Sequence, residues 1–473
     1  MPEGDLFLVD SWLKGDGLSN NNQALAELIS FMWSNPRATF TSKRTSVFRF
    51  SSSSHTFPPI RWRGEGARFL FNGDVNGSAN PVFTFADGFD FDLMSFTALS
   101  GTHFRRAIRF SGKAQGDTVE VICESQMNNN GGSNLDFAIG VYGHDNEIRK
   151  VKTRNVDQAV LQYGEGGTAA KAQKRSRIGM LDIESYTKGF YQRNTEDCDV
   201  KDYNIRSRSP NGSYAANGSP NPGQNAILTS GVKNSTFGAG TAADAIEHNI
   251  RVGGSYGSEM LTDGVTFIAP KSHRAGQCLF KAFSGSNLVP IKRVSVVGGE
   301  MHDAGFDGDG LGFNDFGVMA QNLEDSKFVG VSVGKREGDF SALDSWYVSQ
   351  ANNVRMIGCS GIAAQRDALR VSEYNGNGTD SNSTNTLITS AFYAEGHNAV
   401  GVRVECPTAK MRDFYVDAQV IGGTEGVKWD GPATLAYQPC VFEASVRGQS
   451  GQKFSISGAG SPQIKWRDKT ASA

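Results

Sequence analysis

The chain has 473 residues, with 47 Lys and Arg against 49 Asp and Glu for a net charge of −2. That balance excludes the basic surplus of a nucleic-acid binder, and no run of about 18 apolar residues exists to cross a membrane as a helix. Glycine is abundant at 56 residues, proline is scarce at 14, and the 30 Phe dominate the aromatic content. Short Val, Ile and Phe runs punctuated by Gly, Asn, Asp and Ser read as many strands and almost no helix.

In chain order, residues 1–36 form a lead-in. Leu6 to Val9 reads as a strand, Gly15-Asp16-Gly17 as a turn, and Ser19 to Asn22 as N-cap candidates. Leu25, Leu28, Ile29 and Met32 then follow the spacing of one helix face, which Asn35-Pro36 ends. Residues 37–175 carry short strands such as Ser46–Phe50, Ala67–Phe71 and Thr118–Ile122, with a loop at Asn128–Gly132. The basic run Lys171, Lys174, Arg175 and Arg177 reads as a solvated face. The six cysteines show no Cys-x-x-Cys spacing, so buried thiols are expected and a zinc site is not.

Residues 176–435 contain a repeat. Four segments stack one under another: Asp315–Gln321, Asp344–Gln350, Asp367–Glu373 and Ala399–Glu405. Each places a small polar residue before a short strand and an amide or carboxylate after it. Asp244, beside Glu247 and His248, is a looser extension of the same column. Second strands follow in phase at Lys327–Val333, Val354–Ser360, Thr386–Phe392 and Lys410–Val416. A repeat of roughly 20–30 residues with insertions at one corner is the signature of a β-solenoid. The predicted fold is therefore all-β: one single-stranded right-handed parallel β-helix behind a short capping helix. Residues 436–473, with strand-like Phe454–Ser457 and Ile464–Trp466, are expected to cap it or to make subunit contacts.

The turn Lys14-Gly15-Asp16-Gly17, the polar run behind it and the helix resemble the capping element of pectate-lyase-like β-helix proteins found in bacteriophage tailspikes. Phe57–Gly66, ending in Gly-Glu-Gly, is similar to that family's first coils. Asn20-Asn21-Asn22 stands where the family usually has Asp-Asp-Thr. The resemblance implies a homotrimer on a phage tail, with a tail or baseplate protein as a candidate partner for attachment. It also implies binding and hydrolysis of a bacterial capsule, O-antigen or exopolysaccharide. The first residues lack the pattern of a secretory signal, so a virion location is expected, with no cofactor, metal, nucleic acid or membrane insertion.

Glycoside hydrolysis needs two carboxyl groups, about 5–5.5 Å apart for retention or 6.5–9.5 Å for inversion. Adjacent coils about 4.8 Å apart supply such spacings. Asp315, Asp344 and Asp367 are thus the first catalytic candidates, each with a competing reading as an Asx-turn. The acidic loop with Asp307 and Asp309 is the second, with Glu337 or Asp339 across from it. Trp346, Tyr347 and Tyr374 are sugar-stacking candidates, and alternation sends the first two to opposite faces. Arg366, Arg370, Arg403 and Glu373 are candidate polar contacts. On this reading Asp344→Asn and Asp367→Asn abolish cleavage and leave the fold intact. A uronate-cleaving lyase and a non-catalytic adhesin are the competing functions.

Overall fold

In the computed structural model, the described residues are 5–52, 54–75, 80–124, 136–207, 225–255, 257–285, 289–305, 316–336, 341–372, 387–405, 414–431, 440–457 and 464–469. They divide into two compact units, Met1–Ile227 with Gly257–Met260, and Leu228–Tyr256 with Leu261–Ala473. Each is a mostly β parallel solenoid, as predicted.

The predicted helix is present at Asn22–Ser34, and Leu25, Leu28, Ile29 and Met32 are its buried residues. Its entry is stitched by Asn21 and Asn22. The Asn21 Oδ1 accepts the Lys14 N–H at 2.8 Å, and the Asn22 Oδ1 accepts the Ser51 N–H at 2.8 Å. Asp16 closes the preceding turn by accepting the Leu18 and Ser19 N–H groups. The Ser19 hydroxyl above all, with these two backbone bonds, holds its carboxyl down to about 2.

The phenylalanines explain the first unit. Parallel pairing puts Phe57 level with Phe85 and Phe85 level with Phe110. The Phe85 and Phe110 rings lie 5.4 Å apart in a stacked arrangement. Phe50, Phe71 and Phe96 continue ring to ring along another stretch. A flat ring repeats well at the spacing of adjacent strands, and each one buried is worth roughly 1.5–3 kcal/mol.

In the second unit the coil is visible as ladders. Ser295–Val297, Lys327–Val329 and Val354–Ile357 pair in sequence along one face. Glu300–Ala304, Ser332–Gly334 and Ser360–Ile362 pair along the next. Between them runs a column of left-handed residues: Ala269, Gly298, Gly330, Gly358 and Ala391, with φ between 46° and 68°. The first four of these N–H groups each donate to a carbonyl of the following coil. The corner therefore turns the chain without losing hydrogen bonds between coils.

The register differs from the predicted alignment in places. Lys327 pairs with Arg355 and Val354 with Leu387, one residue out of the expected phase. Letter patterns mark where strands lie, but corner residues set the exact step. The cysteines Cys123, Cys198, Cys278, Cys359 and Cys440 are buried free thiols as expected; Cys406 lies outside the described residues. In the basic run, Lys174 pairs with Glu196 and Arg175 with Asp145.

Candidate functional site

Trp346 pairs with Leu369, which places Asp344 level with Asp367 in the next coil, as the sequence predicts. The rest of the predicted column needs correction. Phe316 stands opposite Asp344, the place the predicted alignment gave to residue 315. Asp244 lies in a left-handed corner and faces Arg274 at 3.2 Å. His248 is the residue that pairs into the strand there, opposite Cys278.

Asp344 and Asp367 are both fully buried, at 0% exposure. The Arg366 fork grips Asp344, with Nε donating to Oδ1 at 2.8 Å. Arg370 Nη1 is 3.7 Å from the same carboxylate. Asp344 Oδ1 also accepts the Asp367 N–H at 3.2 Å. One coil on, Asp367 Oδ1 accepts the Val400 N–H at 3.1 Å, and Oδ2 accepts from Arg403 Nε at 2.7 Å. Burial, then the nearby charge of Asp344, pushes the Asp367 carboxyl up to about 6, against the pull of Arg403 and Arg366. The sign-alternating ladder continues outward: Arg370 to Glu405 at 2.6 Å and Arg403 to Asp430 at 2.9 Å.

The predicted alternation of Trp346 and Tyr347 is present. Trp346 is fully buried with its edge against Phe328, and its Nε1–H donates to the Ser360 carbonyl at 2.8 Å. Tyr347 stacks on Phe316 at 4.7 Å, with the Arg370 guanidinium 5.9 Å from its ring. It is only 4% exposed, so neither ring offers a face to solvent. Asp307, Asp309, Asp315, Glu337, Asp339, Glu373 and Tyr374 lie outside the described residues. What remains is a pair of carboxylates with the predicted coil-to-coil spacing, enclosed by guanidinium groups and backbone donors.

An open pair of carboxylates lies in the first unit, where the sequence analysis placed none. Phe91 pairs with Gly116 and Leu93 with Thr118, so Asp92 and Asp117 stand level in neighbouring coils. Asp92 accepts the Gly64 N–H at 2.6 Å. Asp117 pairs with Arg149, whose Nη2 is 2.7 Å from Oδ2. Both acids line a cavity of about 540 Å³ with Arg44, Glu65 and Gly66. Glu65, exposed on this cavity, has a φ of 46°. The Asp117 side chain is 44% exposed. The available signal was the recurrence of Asp at the same place in two apolar strands, Phe89–Ala98 and Ala114–Cys123.

Among the described residues, no group of three His, Cys, Asp or Glu is placed to hold a metal ion. No family model and no curated protein matches the chain. Solved structures resemble it at a distance. The A-module of the mannuronan C-5 epimerase AlgE4 of Azotobacter vinelandii is 11% identical over 96% of this chain and 99% of its own, with a TM-score of 0.41. The Dettilon tailspike protein is 9% identical over 86% and 70%, also at 0.41. The surface adhesin PfbA of Streptococcus pneumoniae is 11% identical over 96% and 93%, at 0.36. Likeness this distant says nothing of the site.

Proposed function

We propose that this chain binds a bacterial surface polysaccharide and hydrolyses it internally with a pair of carboxylic acids. The observation that carries this reading is the level placement of Asp92 and Asp117 on an open cavity. Neighbouring strands lie about 4.8 Å apart, close to the roughly 5–5.5 Å separation of a retaining glycosidase. In such a pair one carboxyl protonates the leaving oxygen while the other attacks the anomeric carbon. Asp117, paired with Arg149, suits the nucleophile. Asp92 lines the same cavity with Glu65 and Gly66, and on this reading it protonates the leaving oxygen. The sequence resemblance adds the biological setting: a trimeric tailspike on a virion, acting on capsule, O-antigen or exopolysaccharide.

The test is depolymerisation of a panel of purified bacterial capsules, O-antigens and exopolysaccharides, followed by reducing-end release and viscosity. Asp92→Asn and Asp117→Asn should each lower cleavage by at least about a hundredfold without changing the melting temperature. Products with unsaturated ends absorbing in the ultraviolet would replace hydrolysis by elimination. Binding without any release of oligosaccharide would leave an adhesin.

A further inference from the structure

A second cavity, of about 710 Å³, opens in the first unit where the chain leaves the capping helix. It is distinct in its walls from the one holding Asp92 and Asp117. Its volume falls within the roughly 300–1,000 Å³ of small-molecule sites. The apolar part of the lining is Pro36 and Pro59, with Ala38 and Ile60 buried beside them. The rim carries donors and acceptors of both signs, among them Asn35, Arg37, Arg61, Asp87 and Gln115.

Three features make this rim pre-formed. Arg37 adopts a left-handed backbone with φ of 70°, fixed by its N–H donating to the Pro59 carbonyl at 3.0 Å. Its guanidinium has no ion pair among the described residues. Asp87 is held in place by the Lys113 N–H at 2.7 Å. Asp90 is taken by the Arg63 fork at 3.1 and 2.9 Å, which leaves Arg61 at a looser 3.8 Å.

A lone anion would satisfy the arginines and repel Asp5 and Asp87, which also line the cavity. A neutral sugar does neither. Its adjacent hydroxyls both donate and accept, so carboxylate, guanidinium and amide can each be matched, while its C–H face lies on the prolines. We infer that this cavity is a subsite for a short neutral stretch of glycan, held by Arg37, Asp87 and Gln115 over the Pro36–Pro59 floor. The inference rests on the reading of the chain as a polysaccharide-binding protein and adds a place and a sugar class to it.

The experiment is a glycan array of neutral and acidic bacterial surface oligosaccharides, probed with the full chain. Titration of each bound glycan into wild type, Arg37→Gly and Gln115→Ala then follows. Glycine suits the left-handed position and Gln115 is exposed, so both variants keep the fold. Neutral glycans should be bound, and each variant should weaken them about tenfold, about 1.4 kcal/mol. Overturning results are an array on which no neutral glycan binds, or neutral glycans that both variants hold as tightly as wild type. Polymer cleavage is scored in parallel. If both variants bind and cleave like wild type, the subsite fails alone. If binding depends on Arg37 while no polymer is cut, the hydrolytic reading fails alone.

Discussion

Asp344 and Asp367 occupy the same place in consecutive coils, and the carboxylate of the first accepts the backbone N–H of the second at 3.2 Å. Asp367 repeats the arrangement toward Val400. A residue type chosen for its negative charge thus works here as a rung between coils, with arginines neutralising it from the side.

Asp344→Ala should be strongly destabilising. It removes the fully buried carboxylate that the partly exposed Arg366 grips and orphans the Asp367 N–H. Breaking a buried ion pair from one side costs about 3–5 kcal/mol. Thermal or urea unfolding of the variant measures it. A melting temperature equal to wild type would show that the ladder adds nothing to stability.

Asp367 should behave differently with pH. Burial and the neighbouring Asp344 charge push its folded carboxyl up to about 6, above the roughly 3.9 of a free aspartate. The folded state therefore holds a proton that the unfolded state has released, and this group lowers stability as pH rises from about 4 to 6. Two units correspond to on the order of 3 kcal/mol. Asp367→Asn lacks that titration and keeps an acceptor for Val400. Its stability relative to wild type should improve between pH 4 and pH 7, read from paired melting curves. A difference that stays constant over this window refutes the shifted carboxyl.

Gly423 shows how tightly the second unit is packed at a corner. Its φ is 80°, and a Cβ built there would lie 2.2 Å from His397 Nε2. Gly423→Ala should cost about 2–4 kcal/mol from left-handed strain and overpacking together. Burial holds the His397 imidazole below its ordinary range, so its contribution is present above about pH 6.5 and is lost as pH falls through the folded value. A neutral substitute, His397→Gln, should lessen the loss of stability on acidification, followed by melting at pH 7 and pH 5.

Trp346 separates core from sugar binding. Its indole is enclosed and bonded to Ser360. Trp346→Ala should therefore destabilise by about 3–5 kcal/mol. Trp346→Phe, which keeps most of the packing, should bind glycan as wild type does. A loss of glycan affinity in a folded Trp346→Phe protein would place the ring at the surface after all.

The open acids carry the functional prediction in the other direction. Asp92→Asn and Asp117→Asn should spare the fold, since asparagine keeps an acceptor for the Gly64 N–H and the ion pair of Asp117 with the exposed Arg149 is of the weak surface kind. Equal cleavage by wild type and both variants would remove this pair from the mechanism.

Composition and spacing alone determined that the chain is a parallel solenoid behind one helix. Repeated short strands and recurrent corner residues are local properties, and stacking is the way such coils bury their apolar side chains. They also placed Asp344 level with Asp367, because the two segments step by the same pattern. Register and exposure were decided only in three dimensions. Phe316 pairs opposite Asp344, one residue away from the register the aligned segments predict. Whether a carboxylate faces water or an arginine depends on neighbours one coil away, far off in sequence. That is why Asp344 and Asp367 are enclosed while Asp92 and Asp117, with no conspicuous motif around them, stand at an open cavity.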